Sequence, residues 1–228
     1  MSDFDLERLA ALPDPCAEAA SAPLALGESP PSLPAPTRSR VRAFRAVAVV
    51  AALVYDAVWP AFVQRRGDLG SLSLLRLALG LAIPLTAAAI SINAARRNGD
   101  RGLGATTNRL LMLVLASPVL FAGATLLTAP PEVYDDSFWR HATGCAIVSA
   151  ELAIGPLALG LLAFRRAFAA ASAWRAAALG VACGALAAAT MSLVCPLGNA
   201  AHVVLGHGGV MLLTGIVGAW LGPRICRA

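Results

Sequence analysis

Residues 176–221 read AAALGVACGALAAATMSLVCPLGNAAHVVLGHGGVMLLTGIVGAWL. Two apolar runs lie here, Ala176–Leu197 and Val203–Leu221, joined by a very tight turn. Each is close to the ~20 mostly apolar residues that a helix needs to cross a hydrocarbon layer. Cys195, His202 and His207 sit at the join, and they include two of the chain's three histidines. Paired spanning helices with soft and borderline ligands at their junction are what this stretch predicts.

Four similar runs precede it: Phe44–Val63, Leu72–Ala94, Leu110–Thr128 and Ala142–Phe164. Ala and Leu dominate them, and the apolar–polar alternation of a membrane barrel strand is missing, so helices are the expected form. Composition agrees. The 228 residues are 58% hydrophobic and 14% charged, with a mean hydropathy of +0.71, whereas soluble domains carry about 25% charge. The expected fold class is therefore all-α: a polytopic bundle of six transmembrane helices in a lipid bilayer.

All 18 basic residues are arginines. They cluster beside the apolar runs rather than along one stripe, so the +5 net charge requires no nucleic acid. Placing the N-terminal tail in the cytoplasm puts Arg8, Arg38, Arg40, Arg42, Arg45, Arg96, Arg97, Arg101, Arg109, Arg165, Arg166, Arg175, Arg224 and Arg227 inside. Only Arg65, Arg66, Arg76 and Arg140 are then left outside. The positive-inside rule selects this orientation, with both termini cytoplasmic. Three regions follow: a Pro-rich cytoplasmic tail (1–43), a six-helix membrane domain (44–222) and a short cytoplasmic C-terminal tail (223–228).

The tail begins acidic, has no early apolar core and contains seven prolines before Arg42, so it is not a secretory signal. Ser2–Leu12 has the pattern of a short helix whose Leu6, Leu9 and Ala10 share a face. Eleven residues are too few to be stable alone, so this helix would order on a partner's groove, with Pro13–Pro36 as a tether. The alternative is a disordered leader. Within the spans, Gly180 and Gly184 form a Gly-xxx-Gly pair suited to close helix packing. Pro84, Pro118 and Pro156 are expected to bend their helices.

In the inferred topology, His141, Cys145, Cys195, His202 and His207 all lie near the outer face. Cys145 and Cys195 could meet if the fourth and fifth spans are neighbours. A disulfide is permitted in an oxidising compartment, while thiolate plus imidazole favours copper, zinc or cadmium. His202 and His207 are five residues apart, roughly 140° around a regular helix, so His202 would have to lie in the turn for the two to converge. Packed cysteines and interfacial histidines are the plainer alternative. Asp56 and Glu151 are acids at membrane depth, candidates for ion movement or for neutral packing roles. No Walker-type loop, Gly-x-Gly fingerprint or His-Glu-x-x-His motif occurs, so an enzyme is not expected.

The C-terminal half carries a further pattern: an outer Cys145, the mid-span Pro156, a basic inner loop from Phe164-Arg-Arg-Ala-Phe to Ser172-Ala-Trp-Arg175, the small-residue helix from Ala178, then Cys195-Pro196 and His207. It resembles the NrsF-type anti-sigma factors, six-span bacterial inner-membrane proteins, over about residues 140–225. The resemblance implies that a short cytoplasmic N-terminal segment holds an extracytoplasmic-function sigma factor inactive. It also implies that Cys145 and Cys195 form a sensor pair for metal or oxidative stress, with His207 at the aromatic-or-His position that follows. Gly206 stands where the family usually has Trp. The expected function is thus a membrane-bound anti-sigma factor, with a transition metal ion as a candidate signal. The alternatives are a small permease-like transporter using Asp56 and Glu151, or a structural membrane subunit.

Overall fold

In a computed structural model of the chain, the described residues are 38–62, 73–96, 107–129, 138–164 and 172–227. The chain divides into two compact units, Met1–Thr37 and Arg38–Ala228. The first lies outside the described residues, as do the readings placed on Leu6, Leu9 and the Pro13–Pro36 tether. The second contains α1 (Arg38–Phe62), α2 (Leu74–Arg96), α3 (Thr107–Thr128), α4 (Phe138–Phe164), α5 (Ser172–Val194), α6 (Ala200–Val203), a π-helical turn (Val204–Gly208) and α7 (Gly209–Arg227). There is no strand among the described residues.

Each apolar run corresponds to a long helix. Five stretches among the described residues are long and apolar enough to cross a membrane: Leu74–Ala95, Thr107–Thr128, Phe138–Phe164, Ser172–Val194 and Ala200–Ile225. The last runs unbroken through α6, the π turn and α7. Helix α1 also has the length, at 25 residues, and carries four arginines and Asp56. The helices also run past the apolar boundaries. Helix α1 begins at Arg38, before Phe44, whereas α5 stops at Val194, short of Leu197. Pro196 explains the early stop, because a proline disfavours the helical conformation of the residue before it.

Helix α5 is the axis of the bundle. It packs against α1, α2, α3, α4 and α7, and is buried on nearly every side. Its sequence makes this possible, because Ala and Gly leave a thin rod that several neighbours can approach at once. In lipid, where apolar side chains gain nothing by leaving the solvent, such close contact is what holds helices together. Against α7 the approach is tightest. A Cβ at Gly180 would overlap the carbonyl oxygen of Thr214, and one at Gly184 would lie 2.6 Å from the Met211 Cα. The Thr214 hydroxyl donates to the Gly180 carbonyl at 2.7 Å and shares itself with its own helix at Val210, also 2.7 Å. Larger side chains close the remaining space: Phe121 from α3, and Leu152, Leu161 and Phe164 from α4. Pro84, Pro118 and Pro156 all lie inside their helices, on buried positions. Large apolar residues such as Leu75, Val119, Ile147, Ile154 and Ile216 face outward, as expected where the surrounding solvent is hydrocarbon.

The two ends of the bundle differ. At one, Arg45 of α1 donates to the Ala163 carbonyl at 3.4 Å and lies 5.5 Å from the Phe164 ring centre. At the same end Arg175 reaches the Ala95 carbonyl at 3.5 Å, and Arg224 stacks 4.0 Å over Trp220. The cysteines and histidines gather at the other. Gly180→Val and Gly184→Val should lower the melting temperature of the detergent-purified protein, since α7 must move away and overpacking costs about 1–3 kcal/mol. Gly123→Ala is the control: nothing lies within 4 Å of an added Cβ there, and its melting temperature should match the parent's.

Candidate thiol–imidazole site

The site is built on the connector between α5 and α6. Once Pro196 has ended α5, the chain has no regular structure until Asn199, which is itself extended at φ −69° and ψ 149°. The Asn199 side-chain oxygen accepts a hydrogen bond from the His202 backbone N–H at 2.7 Å. This is an N-cap, satisfying one of the amides that a helix start leaves unpaired. From α2, the Arg76 guanidinium donates to the Gly198 carbonyl. The connector is therefore held from two directions.

His202 falls in the first turn of α6, and His207 in the π turn that follows. The expectation that His202 must lie in the linking turn is thus corrected, and the π turn is the reason. Its i→i+5 hydrogen bonding widens the helix, so residues five apart return to nearly one face. The two imidazoles meet edge to face, with centres 5.4 Å apart and planes at 82°.

Helix α4 brings Cys145 to the same place. Gly206 makes the approach possible: a Cβ there would lie 3.2 Å from the Ala142 carbonyl and 3.3 Å from the Cys145 Cβ. The Cys145 and Cys195 sulfurs are 3.6 Å apart, and both thiols are free. Cys195 Sγ is 3.3 Å from His202 Nε2. One donor atom from each of Cys145, Cys195, His202 and His207 falls within 4.8 Å of all the others. His202 and His207 are each 1% exposed and Cys195 is 4%. Even so, His202 Nδ1 and both nitrogens of His207 have no hydrogen-bond partner among the described residues. Cys195 lies in the connector, outside the long helices. A pocket lined by Arg76, Phe121, Thr125, Thr128, Cys195 and His207 reaches the group.

Two thiols and two imidazoles in this arrangement can do either of two things. They can lose two electrons and two protons to form a disulfide, or they can lose thiol protons and bind a soft or borderline ion. Other candidates are placed elsewhere. His141 is exposed near the start of α4 and is not among the converging four. Asp56 is 5% exposed within the bundle, its carboxylate oxygens without a hydrogen-bond partner among the described residues. Glu151 is exposed on α4, so the two acids do not share an environment. Arg76 and Asn199 were not among the candidate site residues read from the sequence, and Gly206 was noted only as standing where the resembled family usually has Trp. Asn199 three residues before His202 is a helix-start signal, and Arg76 was one of the four arginines on the disfavoured side.

A bundle of apolar helices, five of them long and apolar enough to cross a membrane, with a buried thiol–imidazole group at one end defines the class of this protein. Residues 31–227 match the family described as NrsF, negative regulator of sigma F, and the chain belongs to that family. The match bears out the sequence resemblance and extends it over most of the chain. Neither the curated proteins nor the solved structures contain a match.

A mild oxidant should link Cys145 to Cys195 in the purified protein, seen as a crosslinked peptide by mass spectrometry, with Cys183 left out. Gly206→Leu should sharply lower the yield by pushing α4 away from the π turn. An equal yield from that variant would show that Gly206 does not set the approach.

Proposed function

We propose that this chain is a non-catalytic, membrane-embedded anti-sigma factor that holds an extracytoplasmic-function sigma factor through its N-terminal tail. On this reading it crosses the bacterial inner membrane six times, α1 included, with both termini cytoplasmic. The arginine end of the bundle faces the cytoplasm, and the Cys/His end faces outward and senses metal or oxidative stress. Membership of a family named for negative regulation of a sigma factor supports the partner. The observation that carries the sensing role is the approach of Cys145 and Cys195, from two different helices, to 3.6 Å.

On this reading the signal would reach the tail through α4 and α1. Helix α4 carries Cys145 near one end and Ala163 and Phe164 at the other, where Arg45 of α1 rests. The 19 residues from Cys145 to Phe164 span about 28 Å at the usual helical rise. Bonding at Cys145 would bias the position of α4, and α1 would pass that bias to the tail that precedes it. Switching requires a difference of a few kcal/mol between two states.

Cys145→Ser and Cys195→Ser should each abolish the transcriptional response to metal or oxidant without lowering the amount of protein. Removal of residues 1–36 should release the co-purifying sigma factor. An unchanged response in both cysteine variants would refute the sensing role, and retention of the partner by the truncated chain would refute the tail's.

A further inference from the structure

We propose that Cys145, Cys195, His202 and His207 form one preorganised tetrahedral site for a divalent d10 ion of the zinc or cadmium kind, and that both imidazoles are ligands rather than neighbours of a thiol pair. The proposal deepens the sensing role given above, since it names the ligand class and the full donor set.

Three independent observations carry it. The first is spacing. A tetrahedral ion with metal–sulfur bonds of about 2.3 Å and metal–nitrogen bonds of about 2.0 Å sets its donors roughly 3.3–3.8 Å apart. Here the sulfurs are 3.6 Å apart and Cys195 Sγ is 3.3 Å from His202 Nε2, with all four donors inside 4.8 Å. The second is unmet bonding capacity. His207 is 1% exposed and has no hydrogen-bond partner among the described residues at either ring nitrogen. A buried imidazole left in this condition costs stability unless something else satisfies it. The third is the π turn, a costly distortion that recurs at functional sites. Its effect here is to turn His207 onto the face of His202.

Donor chemistry selects the ion. Two thiolates and two imidazoles suit zinc and cadmium, whereas magnesium and calcium need oxygen ligands. Binding displaces the thiol protons to solvent and changes no oxidation state, so it needs no co-reactant. The pocket that reaches Cys195 and His207 past Arg76, Thr125 and Thr128 provides the entry path that a buried site requires.

The test uses the full-length protein in detergent with its thiols reduced, titrated with Cd2+ and, separately, with Co2+ as a spectroscopic probe. One ion per chain is expected, with thiolate-to-metal charge-transfer absorption and the intense visible bands of tetrahedral cobalt. Cys145→Ser and Cys195→Ser should remove much of the charge-transfer intensity. His202→Gln and His207→Gln should each weaken Cd2+ binding by at least the roughly 10–100-fold that even the supporting partners of metal ligands are worth. They should also shift the visible cobalt bands. The double histidine variant should still form the Cys145–Cys195 disulfide at the parent's yield, which separates ligand loss from a collapsed site. Histidine variants that bind and absorb like the parent would overturn the proposal, as would a parent protein that takes up no Cd2+. Sigma-factor co-purification plays no part in these measurements. Loss of the partner with metal binding intact would defeat the regulator reading alone, and failure to bind metal with the partner still held would defeat only this one.

Discussion

The close contact between α5 and α7 is the constraint on which the rest of the bundle depends. Gly180 and Gly184 leave no room even for a Cβ against Thr214 and Met211, so the two helices meet backbone to backbone. That contact fixes where α7 starts relative to the end of α5, and hence how much chain must span the gap. Only the stretch from Cys195 to Asn199 is left for the purpose. A connector so short cannot wander, and the residues on it are placed almost as firmly as those in the helices. Cys195 is therefore positioned by packing far from the chemistry, and Arg76 and Asn199 complete the restraint from either side.

The same tight return explains why the helix must be irregular where it restarts. Glycine at 206 and again at 208 and 209 lets the backbone widen into a π turn, and the turn opens toward α4, where Cys145 arrives. In a regular helix His207 would point about 140° from His202, and the four side chains would not form a group. The irregularity thus trades local hydrogen-bond quality for the convergence of side chains.

Much of the fold was legible because lipid imposes it. Apolar runs near 20 residues must be helices when no water is present to satisfy the backbone, and each predicted run has its helix. The central role of α5 could be suspected from Gly180 and Gly184, but a Gly-xxx-Gly pair in an Ala-rich chain is too common to identify the partner helix. The site was half legible. Residue types and topology gathered Cys145, Cys195, His202 and His207 at one end. Their convergence was not readable, because it rests on the π turn, and hydrophobic periodicity carries no mark of one inserted turn. His141 was grouped with them by depth alone, and depth says nothing about which side of α4 a residue occupies. The two acids make the same point: Asp56 and Glu151 look alike in the sequence, yet one is buried in the bundle and the other faces out from α4.

A site that is already shaped for its ion raises an energetic question for any switch built on it. Structural zinc sites bind with apparent free energies of about 10–16 kcal/mol, while reversing a two-state population from 1:99 to 99:1 takes about 5.5 kcal/mol. Only the difference in affinity between the two states does this work, however tightly either one binds. Three of the four proposed donors, Cys195, His202 and His207, belong to the connector and the rod that follows it, which α5 and Arg76 hold in place. Cys145 alone comes from α4. The state that can be disfavoured is accordingly the one in which α4 has drawn Cys145 away, leaving a three-donor site. The differential affinity is then the contribution of a single thiolate, and it bears on the helix that ends beside Arg45. A preorganised site can thus act as a switch if one ligand sits on a movable element and the rest do not, and the distribution of donors over this fold has that form.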